Sequence, residues 1–118
     1  GYNVKVFDIN HDKKLENLFN KKFDIVCCYH VIEHLENPFD AVNKIYNAME
    51  EEGVFHVEVP IEGDSPQLEY GHLFGFMPGE LGKILKESGF NIVYATNNTH
   101  SGGSYIERYT AIKERKND

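Results

Sequence analysis

Between residues 23 and 60 the spacing of apolar positions changes from that of a strand to that of a helix and back. Phe23–Tyr29 is a nearly continuous apolar run, which is typical of a strand covered on both faces. A polar turn follows, and apolar residues then recur at helical spacing from Pro38 until Gly53 ends the helix. Residues 54–60 form the next strand. Strands joined by a helix are parallel neighbours, so this unit predicts an α/β sheet.

The flanking residues add shorter elements. Residues 3–8 are rich in β-branched and aromatic side chains and predict a strand that ends at Asp8. Residues 9–20 predict a short helix or helical turn. Within the strand at 54–60, His56 and Glu58 fall on one face, so we expect that face to be polar.

The C-terminal third predicts a second helix followed by two strands. Pro78 begins an amphipathic helix that Gly89 ends. Residues 90–96 and 105–113 then form two strands, and their connection is too short for a helical crossover, so they should be antiparallel. The long loop at residues 61–77 is of a length that usually carries function.

Composition narrows the class of protein. The chain of 118 residues predicts a single domain, and its net charge of −7 does not indicate a nucleic-acid partner. No apolar run is long enough for a membrane span, so we expect no membrane partner. Cys27 and Cys28 point to opposite faces of one strand and should remain free thiols, which indicates a reducing, cytoplasmic compartment.

The segments FDIVCCYHVIEHLENP and EEEGVFHVEVP contain a Phe-Asp strand, a Val-x-Glu-His-Leu turn, an Asn-Pro helix start and a Gly before the next strand. This order of motifs resembles that of class I S-adenosylmethionine (SAM)-dependent methyltransferases. Gly71-His72-Leu73-Phe74 and the later ESGF also match. The resemblance implies an α/β fold with a Rossmann-like methyltransferase sheet that closes in a C-terminal antiparallel hairpin.

The family pattern is incomplete in this sequence. The family sheet has the order 3-2-1-4-5-7-6, and a Gly-x-Gly turn after its first strand cradles the cofactor, whereas this chain has no such turn. Only 15 residues separate Asp8 from Asp24, so Asp8 matches the end of the third family strand and the first two strands are absent. We therefore expect residues 1–118 to be one partial domain, completed either by a missing N-terminal half or by a homodimer.

The resemblance also assigns cofactor-binding residues. SAM would be the cofactor, with Asp8 at its adenine and Cys28, Tyr29 and His30 along its methionine end. This placement agrees with ligand binding beyond the carboxyl ends of α/β strands. Considered alone, Cys28 is also explained as a small buried residue, and Asp8 as a residue that initiates a turn.

Three further residues are candidates for contact with the methyl acceptor. His72 and Tyr70 lie in the long loop, where such enzymes often present groups that face the substrate. His34 is a candidate general base that could accept a proton from an acceptor hydroxyl.

His30, Glu33 and His34 also spell the inverted zinc-protease motif H-x-x-E-H. That motif needs both histidines on one continuous helix. Here His30 follows a strand and Asn37-Pro38 begins a new helix, so the sequence predicts no metal site.

The sequence therefore predicts a SAM-dependent methyltransferase that acts on an unidentified small-molecule acceptor and is incomplete as this chain. The alternative is a non-catalytic, degenerate methyltransferase-like module that acts in binding or oligomerisation. The absent glycine turn favours the alternative for this chain taken alone.

Overall fold

The computed structural model describes residues 4–12, 14–62, 71–99 and 105–116. The strands and α-helices of these residues are β1 (Phe23–Tyr29), α1 (Pro38–Ala48), β2 (Met49–Ile61), α2 (Glu80–Glu87), β3 (Asn91–Thr99) and β4 (Tyr105–Ile112). Short 3₁₀ helices at Leu15–Asn17 and Ile32–His34 complete the list. The helical turn that the sequence predicts within residues 9–20 is the first of these.

The sheet has the strand order β1-β2-β4-β3. β1 pairs with β2 in parallel, whereas β4 is antiparallel to both β2 and β3. The predicted parallel unit and the predicted C-terminal hairpin are both confirmed. The order also corresponds to the 4-5-7-6 portion of the methyltransferase sheet, so the partial fold expected from the sequence is the one observed.

The first helix begins as the sequence predicts but ends earlier. The Asn37 side chain caps α1 by accepting a hydrogen bond from the Asp40 backbone N–H at 3.1 Å. The prediction that Gly53 ends this helix is wrong, because α1 ends at Ala48 and β2 begins at the next residue. Gly53 instead permits a close backbone approach, since a Cβ there would lie 2.8 Å from the Glu50 carbonyl oxygen.

A buried lysine closes the C-terminal end of α1. Lys113 Nζ donates to the carbonyl oxygens of Tyr46 at 2.8 Å and Met49 at 2.9 Å. The same ammonium lies 4.5 Å from the centre of the Tyr46 ring. These contacts satisfy carbonyls that a helix end leaves unpaired and place positive charge at the negative end of the helix dipole.

The second helix starts two residues later than predicted. α2 begins at Glu80, and Gly79 before it has a left-handed backbone with φ of 80°. Gly89 also has a positive φ, of 108°, directly after the helix, as expected of a glycine that ends a helix.

The core lies on one face of the sheet. Phe55, Val57 and Val59 of β2 are fully buried there, in the same apolar cluster as residues of α1, α2 and β4. On the opposite face Ile25, Tyr29 and Tyr94 are between 50% and 63% exposed. The expectation that β1 is covered on both faces is therefore wrong for this chain, because the helices of the described residues pack on one side only.

Residues 4–8 do not form the predicted strand. Val4 and Val6 are 81% and 94% exposed, and no described residue pairs with this segment. A strand needs a neighbour to satisfy its backbone groups, and the family neighbour of this strand is one that the chain lacks. The segment has residues that favour a strand, but no described strand lies beside it to pair with.

Within the described ranges, the structure contains no helix of sufficient length and hydrophobicity to cross a lipid bilayer.

Replacing Lys113 by methionine should lower the free energy of unfolding by about 2 kcal/mol, since hydrogen bonds from charged groups contribute roughly 1.5–3 kcal/mol. Methionine keeps the apolar stem and removes the donor. Urea denaturation of Lys113→Met and of Lys116→Met, at an exposed position of the same segment, gives the comparison. Equal stability of the two variants would refute the capping role.

Candidate functional site

The carboxyl ends of β1 and β2 lie side by side and carry most of the chemistry-bearing residues. His30 follows β1 directly and has a positive φ of 57°, which is uncommon for a residue with a side chain. Its backbone N–H donates to the Glu58 carbonyl oxygen at 2.9 Å, which extends the pairing of β1 with β2 by one residue. The chain then turns into the 3₁₀ helix at Ile32–His34.

A network of charged residues surrounds the Glu58 side chain on the open face of the sheet. His30 Nε2 lies 2.6 Å from Glu58 Oε2, and Arg108 contacts Oε1 through Nε at 2.8 Å and Nη2 at 2.6 Å. Burial tends to raise the pKa of the Glu58 carboxyl, but the hydrogen bonds from Arg108 and His30 outweigh burial and hold that pKa below its usual value. Glu58 is therefore an anion that orients the His30 ring.

This network explains the polar alternation along β2. The sequence places His56 and Glu58 on one face, and the structure gives both a partner on β4. His56 Nδ1 lies 3.0 Å from Thr110 Oγ1, and Glu58 pairs with Arg108. The predicted polar face is confirmed, and its charges are paired within the sheet.

A second group of side chains, which we call the Glu33 cluster, consists of Glu33, His34 and His72. The Glu33 backbone carbonyl accepts hydrogen bonds from the N–H groups of Leu73 at 2.9 Å and Phe74 at 3.1 Å. These bonds bring the loop that carries His72 against the Ile32–His34 turn. The His34 and His72 rings then meet edge to face, with centroids 4.6 Å apart.

The Glu33 carboxylate is the most deeply buried charged group in this cluster. Its side chain is fully buried, and Oε2 lies 3.9 Å from Nε2 of both His34 and His72. His30 Nδ1 approaches the same oxygen at 3.7 Å. Among the described residues neither carboxylate oxygen has a hydrogen-bond partner. Glu33, His34 and His72 are thus the described side chains that are spaced to hold a metal ion.

The predicted cofactor residues of β1 divide between the two faces of the sheet. Cys28 points toward the core, and burial raises the pKa of its thiol to about 11, so the thiol is neutral near pH 7. Tyr29 lies on the open face and is half exposed. Tyr29 and His30 are consecutive at the strand end, whereas Cys28 is partly buried against the core. The cofactor role of all three stays a prediction.

Asp8 is occupied by its own turn. Its carboxylate accepts from the Asn10 backbone N–H at 3.0 Å and lies 2.8 Å from His11 Nδ1. This bond to His11 lowers the pKa of the Asp8 carboxyl. Asn10 Oδ1 accepts from the Glu36 backbone N–H at 3.1 Å, which anchors the turn beside the loop after β1. The structure shows the turn-forming role, and the adenine role stays a prediction.

The remaining predicted residues are placed as follows. His72 joins Glu33 and His34 as described above, and Tyr70 lies outside the described residues. Sequence reasoning missed Glu58, Glu62 and Arg108, which hold the histidine rings. The polar alternation at residues 54–60 was the one signal that pointed to Glu58.

A surface pocket with a volume of about 510 Å³ lies elsewhere, between α2 and the hairpin of β3 and β4. Gly82, Ile92 and Tyr109 are among its lining residues. It contains none of the predicted site residues, so the chemistry-bearing groups and this concavity are separate features.

Comparison with known families identifies the class of this protein. Residues 1–95 match the family described as "Methyltransferase domain", which is most of the chain. The chain therefore belongs to the methyltransferase domain family, and the predicted cofactor, SAM, is confirmed as the cofactor of that family. A search of curated proteins found no match.

Solved structures show the same fold. TehB from Haemophilus influenzae is 16% identical with a TM-score of 0.67, and the match covers 93% of this chain and 40% of that chain. A 1,6-didemethyltoxoflavin-N1-methyltransferase from Burkholderia thailandensis, solved with S-adenosylhomocysteine bound, is 20% identical with a TM-score of 0.66 and coverages of 80% and 45%. The [4+2]-cyclase SpnF is 12% identical with a TM-score of 0.66 and coverages of 80% and 50%.

These matches also measure how much of the fold is present. This chain spans between 40% and 50% of the length of the three structures. The structural likeness is therefore to a part of each of these structures.

The pH dependence of stability in a Glu58→Gln variant tests whether the negative charge of Glu58 stabilises the fold. Because the folded pKa of Glu58 is lowered, its stabilising contribution is present above the unfolded value of roughly 4.5 and is lost as pH falls through the folded pKa. We expect Glu58→Gln to lose about 1–3 kcal/mol at pH 7 and the difference from the parent to shrink below about pH 4. Urea denaturation across pH 3–7 measures this; a difference independent of pH would contradict an ionic role.

Proposed function

We propose that this chain is part of an enzyme that transfers a methyl group from SAM to a small-molecule acceptor. One observation carries the proposal: the strand order β1-β2-β4-β3, in a member of the methyltransferase domain family, brings Tyr29, His30 and Glu58 together at the carboxyl ends of β1 and β2. Ligands of α/β sheets bind beyond that edge. We also propose a cytoplasmic location, which the free thiols of Cys27 and Cys28 support.

The described residues fit one side of the cofactor. Tyr29 offers an exposed aromatic surface, and the positive φ of His30 turns the chain away from the strand so that a ligand can approach its backbone. The glycine turn that would form the opposite wall is absent from this sequence. We therefore propose that the methionine end of the cofactor lies against Tyr29 and His30 and that residues outside this chain cover the rest.

The protein's contribution to methyl transfer is chiefly positioning. Bound SAM supplies an electrophilic methyl group, and displacement on it requires alignment of the acceptor more than acid–base chemistry. Glu58 and Arg108 contribute by fixing the His30 ring at the strand end. Few proton-transfer groups are needed, which fits the small number of candidates here.

The proposed general base, His34, has a constrained geometry. Its Nδ1 donates to the Gly71 carbonyl oxygen at 2.8 Å, so Nε2 is the nitrogen left to accept a proton. That nitrogen faces Glu33 at 3.9 Å, and the side chain is 43% exposed. An acceptor hydroxyl would have to enter beside Glu33 to reach it. His72, which is 10% exposed and adjoins the same carboxylate, would line the same approach.

Calorimetric titration of S-adenosylhomocysteine into the 118-residue chain tests the proposal. We expect weak but saturable binding of one ligand per chain, because Tyr29 and His30 supply only one side of the site. Tyr29→Ala should weaken it about fivefold, because an aromatic contact contributes roughly 1 kcal/mol. Tyr94→Ala is the matched control, since Tyr94 is exposed to a similar degree on the same face but lies on β3. Equal losses in both variants would contradict binding at Tyr29.

A second function is favoured by the edge and the face of β1 that the described residues leave uncovered. Ile25 is 63% exposed there, and an unpaired strand edge is a template for another chain. The alternative to the enzyme is therefore a non-catalytic module that binds a partner or oligomerises. Light scattering on the same samples separates the two. Absence of ligand binding up to millimolar concentration, together with a stable dimer, would support the module and overturn the enzymatic proposal for this chain.

A further inference from the structure

We propose that the Glu33 cluster, formed by Glu33, His34 and His72, binds one divalent transition-metal ion. Zn²⁺ is the ion used to test this. The proposal concerns a binding site of this chain and does not depend on methyl transfer. It departs from the sequence expectation of no metal, because the tertiary fold supplies a ligand that the motif at residues 30–34 does not contain.

The three potential ligand atoms already converge. Glu33 Oε2 lies 3.9 Å from His34 Nε2 and from His72 Nε2, and one ligand atom from each residue lies within 4.8 Å of the others. Ligands at about 2.1 Å from a shared zinc ion lie roughly 3–4 Å apart. The two separations from Glu33 already fall in this range. The longest separation in the cluster, at most 4.8 Å, would have to shorten by roughly 1 Å to complete the geometry.

The orientation of both imidazole rings suits metal binding. His34 Nδ1 donates to the Gly71 carbonyl oxygen at 2.8 Å, which places the ring hydrogen on Nδ1. His72 Nδ1 is hydrogen-bonded to the Glu62 carboxylate, which has the same effect. A neutral ring in this tautomer presents its Nε2 lone pair, and both Nε2 atoms face Glu33. Metal-binding histidines characteristically use the second nitrogen in this way.

The burial of Glu33 is an independent indication. Its side chain is fully buried, and neither oxygen has a hydrogen-bond partner among the described residues. An ionised carboxylate without compensation is costly inside a protein. Three histidine nitrogens lie 3.7–3.9 Å from Oε2 and none makes a hydrogen bond to it. A cation between Glu33, His34 and His72 would satisfy the carboxylate and both Nε2 lone pairs at once.

The donor set indicates the kind of ion. Two imidazole nitrogens and one carboxylate suit Zn²⁺, Co²⁺ or Fe²⁺, while Mg²⁺ and Ca²⁺ prefer oxygen ligands. Three protein ligands also leave a coordination position open, as in catalytic zinc sites. The zinc-protease arrangement is not involved, because His30 is engaged by Glu58 and the residues around it do not form one helix. A bound ion would occupy Nε2 of His34 and would therefore exclude the general-base role of that histidine, while the proposed cofactor contacts of Tyr29 and His30 do not involve that nitrogen.

The test starts from the 118-residue chain freed of metal with a chelator. Zn²⁺ is titrated calorimetrically, and Co²⁺ is titrated while visible absorption is followed, since its bands report nitrogen coordination and geometry. We expect one ion of either metal per chain. We also expect Zn²⁺ at saturation to raise the melting temperature by at least about 5 °C.

Variants locate the site. Glu33→Gln, His34→Ala and His72→Ala should each weaken Zn²⁺ binding at least about tenfold. His56→Ala is the matched control, because His56 is a partly buried histidine of β2 that pairs with Thr110 outside the cluster. It should bind Zn²⁺ as the parent does. Glu33→Gln keeps the size of the side chain and remains informative if an alanine variant does not fold.

Two results would overturn the proposal. One is the absence of one-to-one Zn²⁺ binding by the folded parent chain, which would mean that protons rather than a metal compensate Glu33. The other is a loss of affinity in His56→Ala equal to that in His72→Ala, which would mean non-specific binding by histidines. Retained S-adenosylhomocysteine binding in either case would leave the proposed function standing, so the two proposals fail separately.

Discussion

The burial of the Glu33 carboxylate is the constraint on which the carboxyl edge of this sheet depends. The Glu33 backbone carbonyl holds the loop at Leu73 and Phe74, and its side chain sits among histidine nitrogens without a hydrogen bond from the described residues. A buried charge is tolerated only where the surrounding groups compensate it. The described residues bring three histidine nitrogens near this carboxylate without a hydrogen bond, so this edge is where a bound cation or a proton would compensate the charge.

The second constraint is that the described strands correspond to only four of the seven strands in the methyltransferase sheet. The described helices cover one face, while the other face and the edge of β1 leave Ile25 and Tyr29 exposed. In the order of the methyltransferase sheet, 3-2-1-4-5-7-6, the strand that corresponds to β1 has a further strand at this edge. This chain spans half or less of three structures that share its fold. One of those structures is a cyclase, which illustrates that the fold alone does not specify the reaction.

Much of the fold was predictable because its signals are local. The apolar run of β1, the Asn37 cap and the antiparallel hairpin each follow from a few neighbouring residues, and all three are observed. The failures have one kind of cause. Residues 4–8 have strand propensity but no strand neighbour among the described residues, and α1 ends before Gly53 because the chain joins the sheet at Met49, which pairs with Phe23 of β1. Propensity does not determine whether a partner is present.

The sequence by itself determined the elements, the family resemblance and the candidate residues at the end of β1, because spacing and turn chemistry act over a few residues. Only the tertiary structure decided which of these residues meet. His72 reaches Glu33 through loop hydrogen bonds, and Arg108 reaches Glu58 across an antiparallel pair of strands. These contacts join residues 39 and 50 positions apart. Contacts at such separations depend on strand register and loop path, which no local pattern encodes.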